Sequence, residues 1–390
     1  MIPPLHSIYW RGFLARPPLP SPPHDVLDAM RKQPVLITGA GGSIGSALAL
    51  RVAALAPPKL ILLEASENNL YNLEREWAAA AAANSGVAAQ VTPILGSAAD
   101  RALLDEIFSI HAPRIVFHAA AFKHVPLMEE QPLAAIQNNI FATETLVHAA
   151  AAHGSRVVLL STDKAVEPAS VMGATKRVAE QIVLAHGGTV LRLGNVLASR
   201  ASVAEVFARQ IFLGGPLTVT DPAARRYFLT IDEAVNLLLF AAALNPGAPS
   251  IRAFSEWVGN HALLAPSLSS PHLVLDLARF MARALAPNRE IAIDFIGLRP
   301  GDKENEKLWA AGESAHLAGD SGMVFIQSAQ PLAADLHRVL APLRAATEAR
   351  DLAAAIAQLC ALVFDYTPGR AVLELAGQSE SQICASQVTV

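Results

Sequence analysis

The segment 162–176 carries side chains that are able to move protons. Thr162, Asp163 and Lys164 follow one another directly after the apolar run "RVVLLS". A hydroxyl, a carboxylate and an amine in succession can supply a hydrogen-bond donor, a general acid and a general base to one substrate. Met172 and Lys176 are four residues apart, a spacing that places both on one side of a helix. A thioether cannot transfer a proton, so the proton chemistry of this segment depends on the other residues.

A second motif with chemical meaning is the glycine-rich stretch "VLITGAGGSIGSAL", which places Gly39, Gly42 and Gly45 between a strand pattern and a helical pattern. Glycines let the backbone turn sharply and approach a pyrophosphate, and the N-terminus of the following helix favours negative charge. Glu64 ends the next apolar run, "LILLE". This order of strand, loop, helix and acidic residue predicts a dinucleotide-binding site.

Glu64 also bears on which dinucleotide binds. A carboxylate at this position accepts hydrogen bonds from ribose hydroxyls and repels a 2′-phosphate, which favours NAD over NADP. Arg51 and Arg75 keep NADP open as the alternative, because either side chain is able to pair with a phosphate. The residues predicted to bind the cofactor are Gly39, Gly42, Ser43, Ile44, Gly45, Glu64, Ala119, Ala120 and Lys176.

Strand patterns such as "KLILLE" and "RIVFHAA" alternate with helical patterns from residue 34 onward. This alternation predicts an α/β fold, a doubly wound parallel Rossmann sheet with a smaller C-terminal substrate lobe. We assign 34–195 to the NAD-binding domain, with its sheet completed by parts of 229–250, and 196–330 to a substrate-binding lobe. The proline-rich residues 1–33 are predicted to form an extended arm, and 331–390 to form C-terminal helices and a tail.

The composition excludes several other classes of protein. With 30 Lys and Arg against 34 Asp and Glu, the chain lacks the basic excess of a nucleic-acid-binding protein. Its apolar runs fall short of the ~20 residues that span a bilayer, and its N-terminus lacks the apolar region of a secretion signal. The 2 cysteines and 12 histidines show no metal-ligand spacing. We therefore expect a cytoplasmic protein with no transmembrane segment and no metal cofactor.

Six stretches resemble the motifs of a known family and run from about residue 34 to 310. They are "TGAGGSIGS", "HAAAFKHVPLMEEQP", "STDKAVEPASVMGATKR", "RLGNVLASRASV", "GGPLTVTDPAARRYFLTIDEA" and "GLRPGDKENEKL". In these the chain resembles the extended short-chain dehydrogenase/reductases, and within them the polysaccharide-biosynthesis sugar-nucleotide 4,6-dehydratases, with a weaker likeness at "FDYTPG". The resemblance implies a lyase of bacterial surface polysaccharide or glycan biosynthesis, with UDP-N-acetylglucosamine as its substrate. It also implies a homo-oligomer.

The resemblance carries over to individual residues. The pair Asp163-Lys164 after Thr162 resembles the mark of dehydratases that act on UDP-N-acetylhexosamines. Members with methionine at the position of Met172, where others have tyrosine, resemble enzymes that retain the configuration at carbon 5. Many long members carry a membrane-spanning region ahead of a linker like "RGFLARPP", so we expect this chain to be the catalytic part. The implied substrate-binding residues are Lys123, His124, Asn195, Arg226 and Arg299, of which the arginines suit a pyrophosphate.

The same residues suggest how water is removed across carbons 5 and 6 of a hexose. Oxidation of carbon 4 to a ketone makes the carbon 5 hydrogen acidic, so that a base removes it while an acid assists departure of the carbon 6 hydroxyl. We assign Lys164 as the base, which requires a neutral amine, and Asp163 as the acid. Thr162 is expected to hydrogen-bond the carbon 4 oxygen, and Lys176 to hold the nicotinamide ribose. Met172 leaves the first proton transfer to water, Thr162 or Asp163.

Departures from the family pattern keep other functions open. Ser97 stands where an acid that contacts adenine is usual, Ala198 and Ala201 replace glycines, and Asp302 replaces glutamate. The first alternative is a nucleotide-sugar 4-epimerase or a dehydratase of a different sugar nucleotide, although Met172 lacks the phenol that an epimerase uses as a base. The second alternative is a non-catalytic NAD-binding scaffold, against which the intact Thr-Asp-Lys sequence argues.

Overall fold

The structure is a computed structural model that describes residues 5–83, 89–244, 262–328 and 336–377. Its strands are β1 (Val35–Thr38), β2 (Leu60–Glu64), β3 (Val91–Leu95), β4 (Ile115–His118), β5 (Arg156–Thr162), β6 (Thr189–Leu193), β7 (Asn195–Val196), β8 (Leu217–Val219), β9 (Arg225–Arg226), β10 (Phe228–Leu229), β11 (Ala262–Pro266), β12 (His272–Leu273), β13 (Ile293–Phe295), β14 (Glu313–Leu317) and β15 (Met323–Ser328). Nine of them form one sheet in the order β14-β15-β11-β6-β5-β4-β1-β2-β3.

The large sheet is parallel from β3 through β11, and β15 and β14 add an antiparallel edge. Strands β1 and β2 are buried along their whole length and apolar up to their last residue, because helices cover both faces of the sheet. The remaining strands pair as three short ribbons, β10 with β7, β12 with β9 and β13 with β8. The predicted doubly wound parallel sheet is confirmed.

The helices are α1 (Trp10–Leu14), α2 (His24–Arg31), α3 (Ser43–Ala53), α4 (Glu67–Ala83), α5 (Arg101–His111), α6 (Val125–Glu130), α7 (Pro132–Ile136), α8 (Ala142–Ala152), α9 (Val171–Ala185), α10 (Val203–Leu213), α11 (Ile231–Ala243), α12 (Val274–Leu285), α13 (Leu336–Glu348), α14 (Leu352–Leu362) and α15 (Arg370–Leu375). Helices α5, α8, α9 and α14 bury their apolar sides on one face of the sheet. Helices α2, α3 and α11 do so on the other face.

A third apolar cluster forms the smaller lobe, and the N-terminal segment is part of it. Trp10, Phe13 and Leu14 of α1 are buried with side chains of α10 and α12. The ring of Phe13 meets Phe228 edge-on at 5.5 Å between centroids. The prediction of an extended arm over 1–33 is therefore corrected: α1 and α2 pack on the body. The sequence concealed this because a five-residue helix among prolines is too short to show a periodic pattern.

The predicted division into domains also needs correction. Residue 229 belongs to a short ribbon and Ile231–Ala243 form α11, so the described part of 229–250 adds no strand to the large sheet. The helix begins at Thr230, whose hydroxyl accepts from the Glu233 backbone while the Glu233 carboxylate accepts from the Thr230 backbone. The sheet is instead extended by β11, β15 and β14, which come from the predicted lobe 196–330. The continuous apolar run over 237–243 of α11 is easily mistaken for a buried strand.

The C-terminal region is helical within its described part. Helices α13, α14 and α15 lie within 336–377, while 331–335 and 378–390 of the predicted C-terminal region lie outside the described residues. Leu340, Leu343 and Leu359 are buried in the cluster that also contains α8 and α9. Across the described ranges, none of the helices combines the length and the apolar character needed to cross a bilayer.

Candidate active site

The glycine-rich loop joins β1 to α3 at the carboxyl edge of the sheet. Gly39 has a φ of +66°, and a Cβ on it would lie 2.6 Å from the backbone nitrogen of Ala120. A Cβ on Gly45 would lie 2.1 Å from the Gly39 carbonyl oxygen. Both positions therefore require glycine. The loop and the N-terminus of α3 form the kind of backbone cradle that suits a pyrophosphate.

Glu64 supports this loop from the end of β2. One of its carboxylate oxygens accepts a hydrogen bond from the Gly41 backbone N–H at 2.8 Å, and the other accepts from the Ser66 N–H at 3.0 Å. The side chain is buried. Each oxygen has a second lone pair, so a ribose hydroxyl is a further partner that its chemistry permits. Glu64 therefore fixes the shape of the loop as well as standing at the predicted ribose position.

A cleft of about 890 Å³ runs from the glycine-rich loop to the smaller lobe. Most of the residues predicted from the sequence line it: Gly42, Ser43, Ile44, Gly45, Ala119, Lys123, His124, Thr162, Lys164, Met172, Lys176, Asn195, Arg226 and Arg299. Four predicted residues lie behind its walls, namely Gly39, Glu64, Ala120 and Asp163. The structure thus brings the predicted cofactor, catalytic and substrate residues to one continuous space.

The three predicted proton-transfer residues form a connected turn at the end of β5. Asp163 is fully buried, and its Oδ1 accepts from the Thr162 hydroxyl at 3.0 Å and from Lys164 Nζ at 2.9 Å. Lys164 Nζ also donates to Asn195 Oδ1 at 3.2 Å. Asp163 Oδ2 is buried with no hydrogen-bond partner among the residues that the structure describes. Asn195, predicted to bind the substrate, therefore contacts the amine of Lys164.

A second carboxylate faces the amine of Lys164. Glu306 Oε1 lies 3.9 Å from Lys164 Nζ. Burial opposes the charged form of Lys164, but the carboxylates of Asp163 and Glu306 outweigh burial and raise the pKa of the amine. The resting site therefore holds an ammonium group, and the neutral amine expected from the sequence is not its resting state. Sequence reasoning missed Glu306, since no local pattern links it to residue 164.

Helix α9 is anchored at its start, just before Met172. Ser170 Oγ accepts from the Gly173 N–H at 3.1 Å as the N-cap of this helix. Glu129 Oε1 accepts from the Val171 N–H at 2.7 Å. Burial, offset by this hydrogen bond and reinforced by Asp302, raises the pKa of Glu129 to about 7. The position of the helix therefore depends on a buried acid that the sequence analysis missed.

Met172 and Lys176 lie on the cleft side of α9, as their spacing predicts. Both side chains are buried and both line the cleft. Burial lowers the pKa of Lys176 to about 8, although Glu180 favours the charged form. Lys176 therefore lies close to its titration range near neutral pH. Met172 presents an apolar side chain to the cleft, so this position supplies no proton donor.

Two further predicted residues lie on the loop after β4. Lys123 Nζ donates to the Arg200 carbonyl oxygen at 2.8 Å, which ties this loop to the segment after β7. Burial lowers the pKa of Lys123, while Glu205 acts in the opposite direction. His124 precedes α6, and burial together with Lys123 and Arg299 lowers its pKa. His124 is therefore mainly neutral near pH 7.

The two arginines predicted to bind pyrophosphate are engaged with the protein itself. Arg226 donates to the backbone carbonyls of Lys303 at 2.7 Å and Glu304 at 2.9 Å. Arg299 pairs with Asp302 through Nε at 2.8 Å. Both line the cleft. Arg226 fastens the 303–304 backbone to the cleft wall, and Arg299 is the more exposed of the two guanidinium groups.

Arg200 closes over the glycine-rich loop and was not predicted to take part in the site. Its backbone N–H donates to Ser43 Oγ at 2.8 Å. Its guanidinium donates to the Gly41 carbonyl at 2.8 Å and to Asn69 Oδ1 at 3.2 Å. The sequence did hold a signal for Arg200, because it lies between Ala198 and Ala201, the two alanines that replace family glycines.

Behind the turn at residues 162–164 lies a buried ionic network. Arg192 is fully buried and contacts Glu180 at 2.9 Å and Glu313 at 2.7 Å. Glu180 also accepts from the Ser161 hydroxyl at 2.6 Å, one residue before Thr162. Although burial opposes ionisation, Arg192 and Arg177 outweigh it and lower the pKa of Glu313 to about 2. The network connects β5, β6, α9 and β14 and holds the end of β5 in place.

Among the described residues, there is no group of three or more His, Cys, Asp or Glu side chains arranged to hold a metal ion. The cleft residues offer backbone N–H groups and three lysines, Lys123, Lys164 and Lys176, with buried carboxylates beside them. These groups suit phosphate binding and proton transfer.

The fold and the cleft define a class, the Rossmann-type α/β proteins with a glycine-rich loop and a polar turn facing one cleft. Comparison with known families places the chain within that class. Residues 35–328 match the family described as polysaccharide biosynthesis protein. The chain belongs to this family, which confirms the family-level resemblance drawn from the motifs.

Individual relatives agree with this assignment. The chain is 37% identical over 312 residues to the probable polysaccharide biosynthesis protein EpsC of Bacillus subtilis, covering 78% of this chain and 49% of EpsC. It therefore spans about half the length of that relative. The structure of Pen from Bacillus thuringiensis has 26% identity and a TM-score of 0.66, over 78% of this chain and 90% of Pen.

A third comparison shows the same fold at greater distance. The dTDP-glucose 4,6-dehydratase DesIV of Streptomyces venezuelae, solved with NAD and TYD bound, has 19% identity and a TM-score of 0.55. The match covers 69% of this chain and 85% of DesIV.

Proposed function

We propose that this protein is an NAD-dependent nucleotide-sugar 4,6-dehydratase. The substrate that we propose is UDP-N-acetylglucosamine, converted to a UDP-4-keto-6-deoxy-N-acetylhexosamine with retention at carbon 5. The observation that carries the proposal is the bonded turn of Thr162, Asp163 and Lys164, whose hydroxyl and amine reach the same cleft as the glycine-rich loop. Membership of a polysaccharide biosynthesis family supports a sugar-nucleotide substrate.

The residues present fit a dinucleotide. The turn at Gly39 and Gly45 leaves no room for a Cβ, and the N-terminus of α3 opens into the cleft. In the proposal this loop holds the pyrophosphate, Glu64 a ribose, and Lys176 the nicotinamide ribose. The bound cofactor supplies the removal of a hydride from carbon 4 and its return at carbon 6.

The first proton to move is that of the carbon 4 hydroxyl. In the proposal Thr162 hydrogen-bonds this oxygen and relays the proton to Asp163, since the Thr162 hydroxyl already donates to Asp163 Oδ1. Asp163 lies behind the cleft wall, so it returns the proton through Thr162 to the carbon 6 hydroxyl as that group departs as water. Met172 takes no part in these transfers and packs beside them.

Lys164 exchanges the proton at carbon 5. The neutral amine takes this proton, and the resulting ammonium returns it to the same face of carbon 5 after the hydride has reached carbon 6. The proton from oxygen 4 departs with the carbon 6 hydroxyl as water, and the proton from carbon 5 returns to carbon 5, so the sugar loses one water in total. Because Asp163 and Glu306 raise the pKa of Lys164, the amine must lose a proton before the first turnover.

The remaining assignments concern the substrate. We propose that Lys123, His124 and Asn195 line the sugar site and that Arg299 binds the diphosphate, since all four face the cleft. Arg226 has a smaller part in phosphate binding than the sequence predicted, because its guanidinium holds backbone carbonyls. The cytoplasmic location and the homo-oligomer stay predictions.

The test is incubation of the purified protein with UDP-N-acetylglucosamine and NAD, followed by mass analysis of the nucleotide sugar. We expect a product lighter by one water, and no product with Lys164→Met, which keeps an unbranched side chain one atom shorter and removes the amine. A product of unchanged mass but altered configuration would replace the proposal with a 4-epimerase. Full turnover by Lys164→Met would show that another group removes the carbon 5 proton.

A further inference from the structure

Glu306 is a buried acid beside the active site to which neither the motifs nor the proposed steps give a role. Its side chain is 2% exposed, and its Oε1 lies 3.9 Å from Lys164 Nζ. Acidic side chains are seldom buried this deeply without a partner that uses their charge. Glu306 has two such partners: Lys303 at 2.7 Å from Oε2, and the amine of Lys164, which is 22% exposed and opens to the cleft.

The backbone around Glu306 is fixed from the cleft wall. Arg226 donates to the carbonyls of Lys303 and Glu304, which lie three and two residues before Glu306 in the chain. Lys303 Nζ lies 2.7 Å from Glu306 Oε2 and donates to the Val166 carbonyl at 2.9 Å. Val166 directly follows the turn that carries the proton-transfer residues. Glu306 is therefore held in a defined position relative to Lys164.

The two carboxylates near the amine differ in whether they keep their charge during the proposed reaction. Asp163 and Glu306 are the two carboxylates that face Lys164 in the described structure, with Arg226 as the opposing cation. In the proposed steps Asp163 takes up the proton from oxygen 4 and becomes neutral. Lys164 gains its positive charge from carbon 5 at the stage when Asp163 has lost its negative charge.

We propose that Glu306 is a positioning residue that acts through Lys164. It holds the amine at the cleft wall and stabilises the ammonium that forms when carbon 5 gives up its proton. This inference rests on the proposed dehydratase function. The proton passes between carbon 5 and Lys164 Nζ alone, and Glu306 contributes its charge without taking part in a bond change.

The first test compares the pH dependence of turnover in variants. Glu306→Gln removes the charge and keeps the shape, while Glu304→Gln is the matched control, because Glu304 lies two residues away and is exposed. We expect Glu306→Gln to lower turnover at least about tenfold and to shift the acid limb to lower pH by about one unit, since a charge within 4–6 Å moves a pKa by one to three units. Glu306→Asp should restore part of both. An unchanged limb and unchanged turnover in Glu306→Gln would overturn the inference.

The second test needs no turnover. Limiting acetic anhydride acylates the neutral form of an amine, and peptide mass spectrometry reads its rate at Lys164 from pH 7 to 9. Glu306→Gln should raise that rate several-fold, because a pKa lower by one unit multiplies the neutral fraction about tenfold. Equal rates in wild type and variant would overturn the inference. Faster labelling of the variant, with a wild type that forms no dehydrated product, would instead overturn the proposed function and leave the charge coupling in place.

Discussion

Replacing Glu64 by alanine tests how the glycine-rich loop keeps its shape. The carboxylate accepts from the Gly41 N–H at 2.8 Å and the Ser66 N–H at 3.0 Å, and it is buried. Glu64→Ala removes both acceptors and leaves the Gly41 N–H in a buried position without them. Glu64→Gln removes the charge and keeps one acceptor oxygen, so its effect should be smaller.

The size of the effect follows from these two contacts. A hydrogen bond to a charged group contributes about 1.5–3 kcal/mol, and local relaxation recovers part of the loss. We expect Glu64→Ala to lower the free energy of unfolding by about 3 kcal/mol. We also expect dinucleotide binding to weaken at least tenfold, because the loop that approaches the pyrophosphate is no longer held.

The assays are urea unfolding and calorimetric titration with NAD and NADP. Glu67→Gln is the matched control, since Glu67 is exposed in the first turn of α4 and should change stability by less than about 0.5 kcal/mol. If the carboxylate repels a 2′-phosphate, the loss for NAD should exceed the loss for NADP. Wild-type stability and wild-type NAD affinity in Glu64→Ala would refute this reasoning.

Three further changes have defined outcomes. Met172→Ala should keep substantial turnover, whereas Asp163→Asn should lose about 10²–10⁴-fold at saturating substrate, and the reverse order would place the essential contact at the thioether. Lys176 has a pKa of about 8 in the folded protein against 10.5 unfolded, so the unfolded state binds more protons between these values and stability rises with pH. Relative to Lys176→Met, we expect wild type to gain about 2 kcal/mol from pH 7 to 9.5, and a flat difference in urea unfolding would contradict the lowered pKa. Arg192→Met should lower the free energy of unfolding in urea by about 3–5 kcal/mol, because it removes a partner from two buried carboxylates. Arg209 is exposed, so Arg209→Met should stay near wild type. An equal effect of the two substitutions would contradict the stabilising role of the network.

Local patterns were sufficient for the parts of the fold that follow from neighbouring residues. The glycine spacing and the apolar run before it predict the loop at Gly39, because both the turn and the strand depend on adjacent residues. The four-residue spacing of Met172 and Lys176 likewise places them together on α9. The N-cap at Ser170 needed only the loop sequence before the helix.

Contacts between distant segments could not be predicted in this way. Glu306 meets Lys164, and Arg226 turns towards the 303–304 backbone, through folding that no short pattern encodes. In the sequence Arg192 is a single charged residue within an apolar strand, and nothing nearby identifies its partner. That partner, Glu313, comes from the antiparallel edge of the sheet. The helix at Phe13 was missed for a related reason, since its apolar side chains pack against residues of α10 and α12, which lie far along the chain.

The central claim is that one hydride leaves carbon 4 and returns at carbon 6 within the same active site. The most direct measurement uses UDP-N-acetylglucosamine with deuterium at carbon 4 and locates the label in the product by NMR. The account predicts a product lighter by one water that carries the deuterium at carbon 6, with no net accumulation of NADH. A product that has lost the label to solvent, or a sugar that keeps the deuterium at carbon 4, would contradict it.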